Sequence, residues 1–188
     1  MSHTQSSCSA DQALQQLKDG NARFVQGQMT RPNQSPQRRA ELTAGQHPFA
    51  VVLGCSDSRI APEILFDQGL GDLFVVRVAG NTAPDVVRWS VEYAVEHLGS
   101  ALVVVLAHSA CGAVTAAVQA QGRPEAGQGL AGLLQPAVHA GDTVDEAAQR
   151  SAHLTVQRLV DESPCLRRPG VRVVPAFYDQ ATGEVIWL

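Results

Sequence analysis

Two short segments of the chain contain the side chains that are best suited to chemistry. They run from Cys55 to Arg59 (CSDSR) and from His108 to Cys111 (HSAC), and each follows a run of apolar, strand-forming residues. Two thiolates and one imidazole form a ligand set known from catalytic zinc sites, in which a fourth position stays free for water or a carboxylate. The two segments therefore predict a metal site with Zn²⁺ as the favoured ion.

Asp57 and Arg59 lie two residues apart in the first segment. Next to a metal, Asp57 can act as a fourth ligand and close the site. It can instead be held by Arg59 in a charge-assisted, bidentate contact that leaves the metal open to water. The alternative interpretation is an ordinary surface ion pair, which adds little to stability.

Other thiol chemistries fit the spacing less well. A phosphatase loop needs more than the three residues that separate Cys55 from Arg59, and a thioredoxin-like site needs a Cys-x-x-Cys motif, which the sequence lacks. A nucleophile and base pair of Cys55 and His108 stays possible but leaves Cys111 without a role. The remaining cysteines, Cys8 and Cys165, have no motif around them and are expected to be packing or surface residues.

The composition narrows the class of protein. The chain has 188 residues, a net charge of -4 and 45% hydrophobic residues, which fits one compact α/β domain. Lys and Arg are not clustered, so neither a nucleic-acid nor a membrane-surface partner is expected. The N-terminus shows no signal-peptide pattern and no apolar run approaches membrane-spanning length, which predicts a soluble, cytoplasmic protein.

Strands and helices alternate along the sequence, which predicts an α/β fold with a central, mainly parallel β-sheet flanked by helices. Short apolar runs predict four core strands and a short terminal strand, at 48–54, 73–78, 102–107, 171–177 and 184–188. Helical spacing and caps predict helices at 9–28, 62–66, 84–97, 112–121, 130–140 and 143–162. The helix at 84–97 is expected to bury Val86, Ser90, Tyr93, Ala94 and His97.

This topology predicts where the reactive residues meet. Cys55 follows the first strand, His108 follows the third, and Cys111 lies on the turn into the next helix. The carboxyl ends of parallel strands lie at one edge of a sheet, where such folds bind their ligands. We therefore expect the three residues to converge at that edge.

The CSDSR and HSACG motifs together resemble those of the β-class carbonic anhydrases, and the similarity extends from about residue 44 to residue 187. The resemblance implies a single domain over 1–188, with a helical arm at 1–40 that packs on a partner subunit and a catalytic core at 44–188. It implies that Cys55, His108 and Cys111 are the zinc ligands and that Asp57 and Arg59 form a catalytic dyad.

The resemblance also implies a substrate pocket of the plant-type branch. Gln46, nine residues before Cys55, matches the glutamine that hydrogen-bonds the substrate in that branch. The aromatic walls of the pocket would be Phe74 and Tyr93, with Ala79 also lining it. Gly112 would contribute a backbone group near the substrate.

Three further positions are interpreted through the same resemblance. Val52 stands where relatives with a non-catalytic bicarbonate site have a tryptophan, so bicarbonate inhibition is not expected even though Arg77 and Tyr178 match that site. Val78 stands where many relatives have asparagine. His97 lies one helical turn beyond Tyr93 and is a candidate for proton transfer.

The implied activity is reversible hydration of CO₂ to bicarbonate and a proton, by attack of a zinc-bound hydroxide, with one Zn²⁺ per subunit. Two alternatives stay open: a hydrolase of CS₂ or COS on the same fold, and a non-catalytic zinc- or anion-binding module. Because relatives build their pockets across a dimer interface, the resemblance implies a homodimer or a larger homo-oligomer.

Overall fold

The computed structural model describes residues 8–188, so the first seven residues of the predicted arm lie outside the described residues. The strands are β1 (Ala50–Gly54), β2 (Leu73–Arg77), β3 (Leu102–His108), β4 (Arg172–Tyr178) and β5 (Val185–Trp187). The helices are α1 (Ala10–Val25), α2 (Pro36–Glu41), α3 (Pro62–Leu65), α4 (Asp85–His97), α5 (Gly112–Ala120), α6 (Gly129–Leu134) and α7 (Val144–Glu162). Short 3₁₀ turns lie at Leu42–Ala44, Ala79–Asn81, Pro124–Gly127, Gln135–Ala137 and Pro164–Arg167.

The five strands form one sheet in the order β2-β1-β3-β4-β5. The first four are parallel to one another and β5 is antiparallel to β4. The predicted α/β fold with a mainly parallel sheet is confirmed. Gly54 at the end of β1 pairs with Arg77 of β2 and Leu106 of β3, so the carboxyl ends of these strands lie side by side.

Every residue of β1 and β3 is buried, because helices cover both faces of the sheet. Alternate residues of each strand point to opposite faces. Val51 and Val103 pack in the cluster that also contains residues of α4, α5 and α7, whereas Val52 and Val104 pack in the cluster that contains residues of α1 and α3. This two-sided core fixes the position of the strand ends.

Helix α1 packs against the chain's own sheet. Ser9 and Gln12 form a capping box at its start, and the side chain of Leu17 is fully buried. Gly20 lies in the middle of the helix, where glycine costs about 1 kcal/mol relative to alanine. A Cβ atom there would lie 1.8 Å from the carbonyl oxygen of Phe66, so the close approach of the two backbones requires glycine.

The segment after α1 is fastened by the carboxylate of Asp67, which is 2% exposed. Asp67 accepts hydrogen bonds from Arg23 Nε at 2.6 Å, from the N–H and hydroxyl of Thr30 at 2.9 Å each, and from the N–H of Arg31 at 2.8 Å. Burial alone would raise the pKa of Asp67, but the ion pair with Arg23 and the other donors lower it to about 2. The arm is thus held to the core by an ionised carboxylate.

Most of the residues that were predicted to be buried on α4 are not buried, so that prediction was wrong. The helix buries Val87, Val91, Ala94 and Val95 against the sheet. It leaves Val86, Tyr93 and His97 exposed and Ser90 half-buried. Apolar residues occupy both sides of this helix, so helical spacing alone did not select the side that faces the core.

Two other helix predictions differed in extent. The helix expected at 130–140 ends at Leu134, because Pro136 has no N–H to continue the helical hydrogen bonds and a 3₁₀ turn follows. A short helix, α2, occupies part of the stretch for which no helix was predicted; the side chain of Ser35 caps it and Pro36 is its first residue.

Across residues 8–188, no helix has both the length and the apolar character needed to cross a bilayer. The cytoplasmic location stays a prediction.

Candidate metal centre

The three predicted ligands meet at the carboxyl edge of the sheet. Cys55 follows β1, His108 is the last residue of β3, and Cys111 occupies the N-cap position of α5. Their ligating atoms lie within 4.8 Å of one another, and all three residues are buried. The structure thus assembles a Cys₂His cluster of the kind that binds Zn²⁺.

The hydrogen bonding of His108 fits a metal ligand. Its Nδ1 lies 2.9 Å from the carbonyl oxygen of Ser109, which favours the tautomer that carries the ring proton on Nδ1. Its Nε2 is buried and has no hydrogen-bond partner among residues 8–188. A buried nitrogen lone pair without a donor is unfavourable, and a metal ion at the cluster would satisfy it.

The proximity of the two thiols moves their pKa values in opposite directions. The neighbouring Cys111 thiol lowers the pKa of Cys55 well below its usual range, and the nearby His108 ring and the N–H groups of Asp57 and Gly80 lower it further. The neighbouring Cys55 and burial raise the pKa of Cys111. A zinc ion at the cluster would bind both residues as thiolates.

Gly80 belongs to the turn that follows β2 and closes over Cys55. Its N–H donates to Cys55 Sγ at 3.3 Å, and its φ of 69° lies in the left-handed region that favours glycine. The N–H of Asp57 donates to the same sulfur at 3.4 Å. Two backbone donors therefore stabilise negative charge on this thiol.

Asp57 and Arg59 form the predicted bidentate pair. Arg59 Nε lies 2.9 Å from Oδ1 of Asp57, and Arg59 Nη2 lies 2.7 Å from Oδ2. The hydrogen bonds from Arg59 lower the pKa of Asp57 well below its usual range, so the carboxylate is ionised at neutral pH. Asp57 is not a member of the metal-ligating cluster found among residues 8–188, as expected for a carboxylate held away from the metal.

Arg77 holds the backbone of the first segment. Its Nε donates to the carbonyl oxygen of Cys55 at 3.0 Å, and its Nη2 donates to that of Asp57 at 2.7 Å. Sequence reasoning connected Arg77 only with a bicarbonate site and missed this contact. The register of the sheet contained the signal, because Arg77 pairs with Gly54, which directly precedes Cys55.

Two residues that the sequence analysis missed hold the second segment. Asp145, in the first turn of α7, accepts a hydrogen bond from the N–H of Ala110 at 2.9 Å. Gln180 donates its backbone N–H to Ser109 Oγ at 2.9 Å and its side-chain Nε2 to the carbonyl oxygen of Ser109. The pairing of His108 with Tyr178 could have indicated Gln180, but no sequence motif marks Asp145.

The predicted pocket residues lie on separate elements: a strand, a turn and two helices. Phe74 and Tyr93 have ring centroids 6.2 Å apart, and Tyr93 is 5.1 Å from the ring of His97. Ala79 is half-buried in the turn after β2. Gly112 begins α5 beside Cys111, with open space where its side chain would be.

Gln46 is not brought to the cluster within one chain. It is exposed and precedes β1, whereas Cys55 follows that strand. A strand of five residues spans about 17 Å, so the two residues lie at opposite ends of the sheet.

The sequence profile of the family described as carbonic anhydrase matches residues 50–185. The chain belongs to the carbonic anhydrase family. A carbonic anhydrase of Mycolicibacterium smegmatis is 56% identical over 118 residues, covering 63% of this chain and 57% of that protein. Carbonic anhydrase 2 of Mycobacterium tuberculosis is 47% identical over 163 residues, covering 82% of this chain and 79% of that protein.

Solved structures place the chain in the β class of carbonic anhydrases. Those described as tetrameric β-carbonic anhydrases from Sordaria macrospora match with a TM-score of 0.69 at 25% identity, covering 90% of this chain and 93% of theirs. The β-carbonic anhydrase CafA of Aspergillus fumigatus matches with a TM-score of 0.66 at 27% identity, covering 95% and 89%. The predictions of the family, the fold and an enzyme are confirmed.

Proposed function

We propose that this carbonic anhydrase binds one Zn²⁺ per chain through Cys55, His108 and Cys111 and catalyses the reversible hydration of CO₂ to bicarbonate. The observation that carries the proposal is the buried Cys₂His cluster beside a carboxylate that Arg59 holds. A bound Zn²⁺ supplies a Lewis acid that lowers the pKa of a water molecule at its fourth position. A carboxylate held by an arginine leaves that position open.

Asp57 is proposed to accept a hydrogen bond from the attacking water and to fix its orientation. Its carboxylate is ionised at neutral pH and 17% exposed, and its backbone N–H contacts the sulfur of the proposed ligand Cys55. Arg59 fixes both carboxylate oxygens and keeps Asp57 from becoming a fourth ligand. Release of this contact would close the site, so the pair acts as a gate.

The substrate pocket is proposed to lie between Phe74, Ala79 and Tyr93 on one side and the first turn of α5 on the other. The free N–H groups at the start of a helix favour negative charge, so the backbone at Gly112 suits the oxygen of a substrate that becomes bicarbonate. His97 lies beside Tyr93 on the exposed side of α4 and is proposed to pass protons to buffer.

A second copy of the chain is proposed to complete this pocket with its own Gln46. Gln46 lies at the far end of β1 from Cys55, so it cannot reach the cluster of its own chain. The side of α4 away from the sheet exposes large apolar residues, with Val86 66% and Trp89 56% exposed, next to the open edge at β2. The Sordaria macrospora structures described as tetrameric support an oligomer.

The chain is proposed to form a single domain with an N-terminal arm. Residues 44–188 would form the catalytic core of a single domain, and residues 1–40 an arm that also contacts the partner subunit. Light scattering matched to activity assays tests the oligomer. An active monomer would contradict both the pocket shared between two subunits and the contact of the arm with the partner subunit.

Stopped-flow measurement of CO₂ hydration, with zinc content determined on the same sample, tests the function. We expect zinc-dependent turnover that a chelator removes and added zinc restores. A zinc-loaded protein without CO₂ hydration at any pH would contradict the proposal. The alternatives, a CS₂ or COS hydrolase and a non-catalytic module, are not favoured by any contact in the site, and the relatives compared above are carbonic anhydrases.

A further inference from the structure

The turn between His108 and Cys111 contains a strained residue. Ala110 has a φ of 51°, in the left-handed region that is disfavoured for residues with a Cβ atom. Such a conformation persists only where the surroundings impose it, and it often lies at a functional site. Because Ala110 directly precedes Cys111, its backbone angles set the direction from which the Cys111 thiol approaches the cluster.

The side chain of Asp145 contacts the turn on the N-terminal side of Ala110. Its Oδ1 accepts the N–H of Ala110 at 2.9 Å. On the C-terminal side, the carbonyl oxygen of Ala110 accepts a hydrogen bond from Arg59 Nη2 at 3.3 Å. The two contacts hold the peptide groups on either side of Ala110.

The carbonyl oxygen of Ala110 also connects the two segments of the site. Within residues 8–188, the other hydrogen bonds of Arg59 all go to Asp57. The contact with Ala110 is therefore the one that ties the gate to the segment that carries His108 and Cys111. A change in the angles of Ala110 would move both a metal ligand and the support of Arg59.

We propose that Asp145 is a positioning residue for the metal centre. By holding Ala110 in its left-handed conformation, it aims Cys111 at the metal and presents the carbonyl oxygen that supports Arg59. The inference rests on the proposed metal-dependent function, but it concerns retention of the metal as well as turnover. The ordinary alternative is that Asp145 only stabilises the start of α7, where a negative charge is favourable.

Two substitutions separate the contact from the charge. Asp145→Asn keeps an oxygen acceptor at the same distance from the backbone and loses the charge. Asp145→Glu keeps the charge and good helix propensity but moves the carboxylate by one methylene group. If Asp145 positions the turn, Asp145→Asn should retain zinc and turnover like the unaltered protein, and Asp145→Glu should not. If Asp145 only stabilises the start of α7, Asp145→Glu should match the unaltered protein and Asp145→Asn should lose thermal stability.

Glu146→Ala is the matched control. Glu146 is also an acidic residue in the first turn of α7, and its carboxylate accepts hydrogen bonds from Thr143. Its loss removes the same charge from the same helix end without touching the turn at Ala110. We expect this variant to lose thermal stability while it keeps zinc as tightly as the unaltered protein.

The experiment measures zinc release to a competing chelator from the zinc-loaded variants, together with the visible spectrum after Co²⁺ substitution and the rate of CO₂ hydration. For Asp145→Glu we expect zinc release to accelerate about 10- to 100-fold, the range typical when a partner of a metal ligand is lost, with an altered Co²⁺–thiolate spectrum and a similar fall in kcat/KM. For Asp145→Asn we expect all three readouts to stay close to those of the unaltered protein.

Zinc release from Asp145→Glu at the unaltered rate would overturn the proposal, as would equally fast release from Glu146→Ala. These results are distinguishable from failure of the proposed function. If the unaltered protein holds zinc but hydrates no CO₂, the function is wrong, while the comparison of release rates still decides the role of Asp145.

Discussion

Two of the aspartate–arginine pairs among residues 8–188 are alike in chemistry and different in setting. Asp57 is held by Arg59 at the carboxyl edge of the sheet, and Asp67 is held by Arg23 between α1 and α3. In both pairs the pKa of the carboxyl group lies below its usual range, so both carboxylates are ionised at neutral pH. The charge of the two carboxylates therefore does not tell the pairs apart.

The difference lies in how many parts of the chain hold each carboxylate. Asp67 accepts from Arg23 and from two residues of the loop after α1, Thr30 and Arg31. Among residues 8–188, the hydrogen bonds to the carboxylate of Asp57 all come from Arg59, two positions away. One side-chain rotation can free Asp57, whereas Asp67 is freed only when the arm detaches. The first pair suits a gate, and the second suits a fastening.

Asp57→Asn gives the largest expected effect. The neutral amide accepts a weaker hydrogen bond from the attacking water than the carboxylate does, so we expect kcat to fall by about 10²- to 10³-fold, the usual cost of losing one positioned hydrogen-bonding group. Zinc content should stay at that of the unaltered protein, and the free energy of unfolding should change by less than about 1 kcal/mol. Stopped-flow assays, elemental analysis and denaturant titration measure the three quantities.

Cys55→Ser is the control for this variant, because it removes a ligand and should lose zinc and activity together. Loss of zinc from Asp57→Asn to the same degree would show that Asp57 is itself a principal ligand. The site would then be closed in the resting protein, and the comparison of the two pairs would fail.

Asp67→Asn should give the opposite result. It leaves a buried amide where a carboxylate accepted from four donor atoms, and an imperfectly satisfied buried group costs about 1–3 kcal/mol of unfolding free energy. We expect kcat/KM per folded molecule to stay unchanged. Asp161→Asn is the control in the same titration. Asp161 is exposed and accepts a hydrogen bond only from Gln157 on its own helix among the side-chain contacts of its carboxylate in residues 8–188. A fall in kcat without a fall in stability would reverse the assignment of the two pairs.

Arg59→Lys sharpens the role of the gate. Lysine keeps the positive charge but cannot make the bidentate contact, so Asp57 is held in place less firmly. We expect about a 10-fold loss of kcat/KM, the lower end of what loss of a supporting contact costs at a metal site. The visible spectrum of the Co²⁺-substituted variant should show a larger share of the four-ligand form with Asp57 bound. An unchanged spectrum and rate would show that the fork geometry of Arg59 is dispensable.

The last expected effect is the dependence of stability on pH. The pKa of Asp67 falls from about 4 in unfolded chains to about 2 in the folded protein, so its ionised form favours folding. This contribution is fully present above about pH 4 and is lost as the pH falls towards 2. Urea titrations of the unaltered protein and of Asp67→Asn should therefore converge over that range. Parallel curves would show that Asp67 does not titrate with folding.

The sequence predicted the parts of the site that depend on local pattern and strand order. Cys55 and His108 lie at the ends of short apolar runs that are typical of buried strands, and their convergence follows from a parallel sheet. The capping box of Thr143 and Glu146 correctly marked the start of α7. These features need no information about the packing of distant segments.

The parts that were missed depend on contacts between distant segments. Asp145 lies 35 positions from Ala110, and Asp67 lies 44 positions from Arg23, so no spacing rule connects them. The wrong face of α4 has a related cause. Both sides of that helix carry apolar residues, and the side that faces the sheet is decided by contacts with distant strands and helices, which the spacing of residues within the helix does not contain.

The close approach at Gly20 has a consequence for variation among sequences. Its neighbours on the exposed side of α1 contact little and should accept many residues, but any side chain at position 20 would collide with the carbonyl oxygen of Phe66. In a library that samples every residue along α1, position 20 should therefore return glycine alone, although glycine is a poor residue for the middle of a helix. Counting the variants that survive at each position would therefore show where α1 contacts the core, without any measurement of structure.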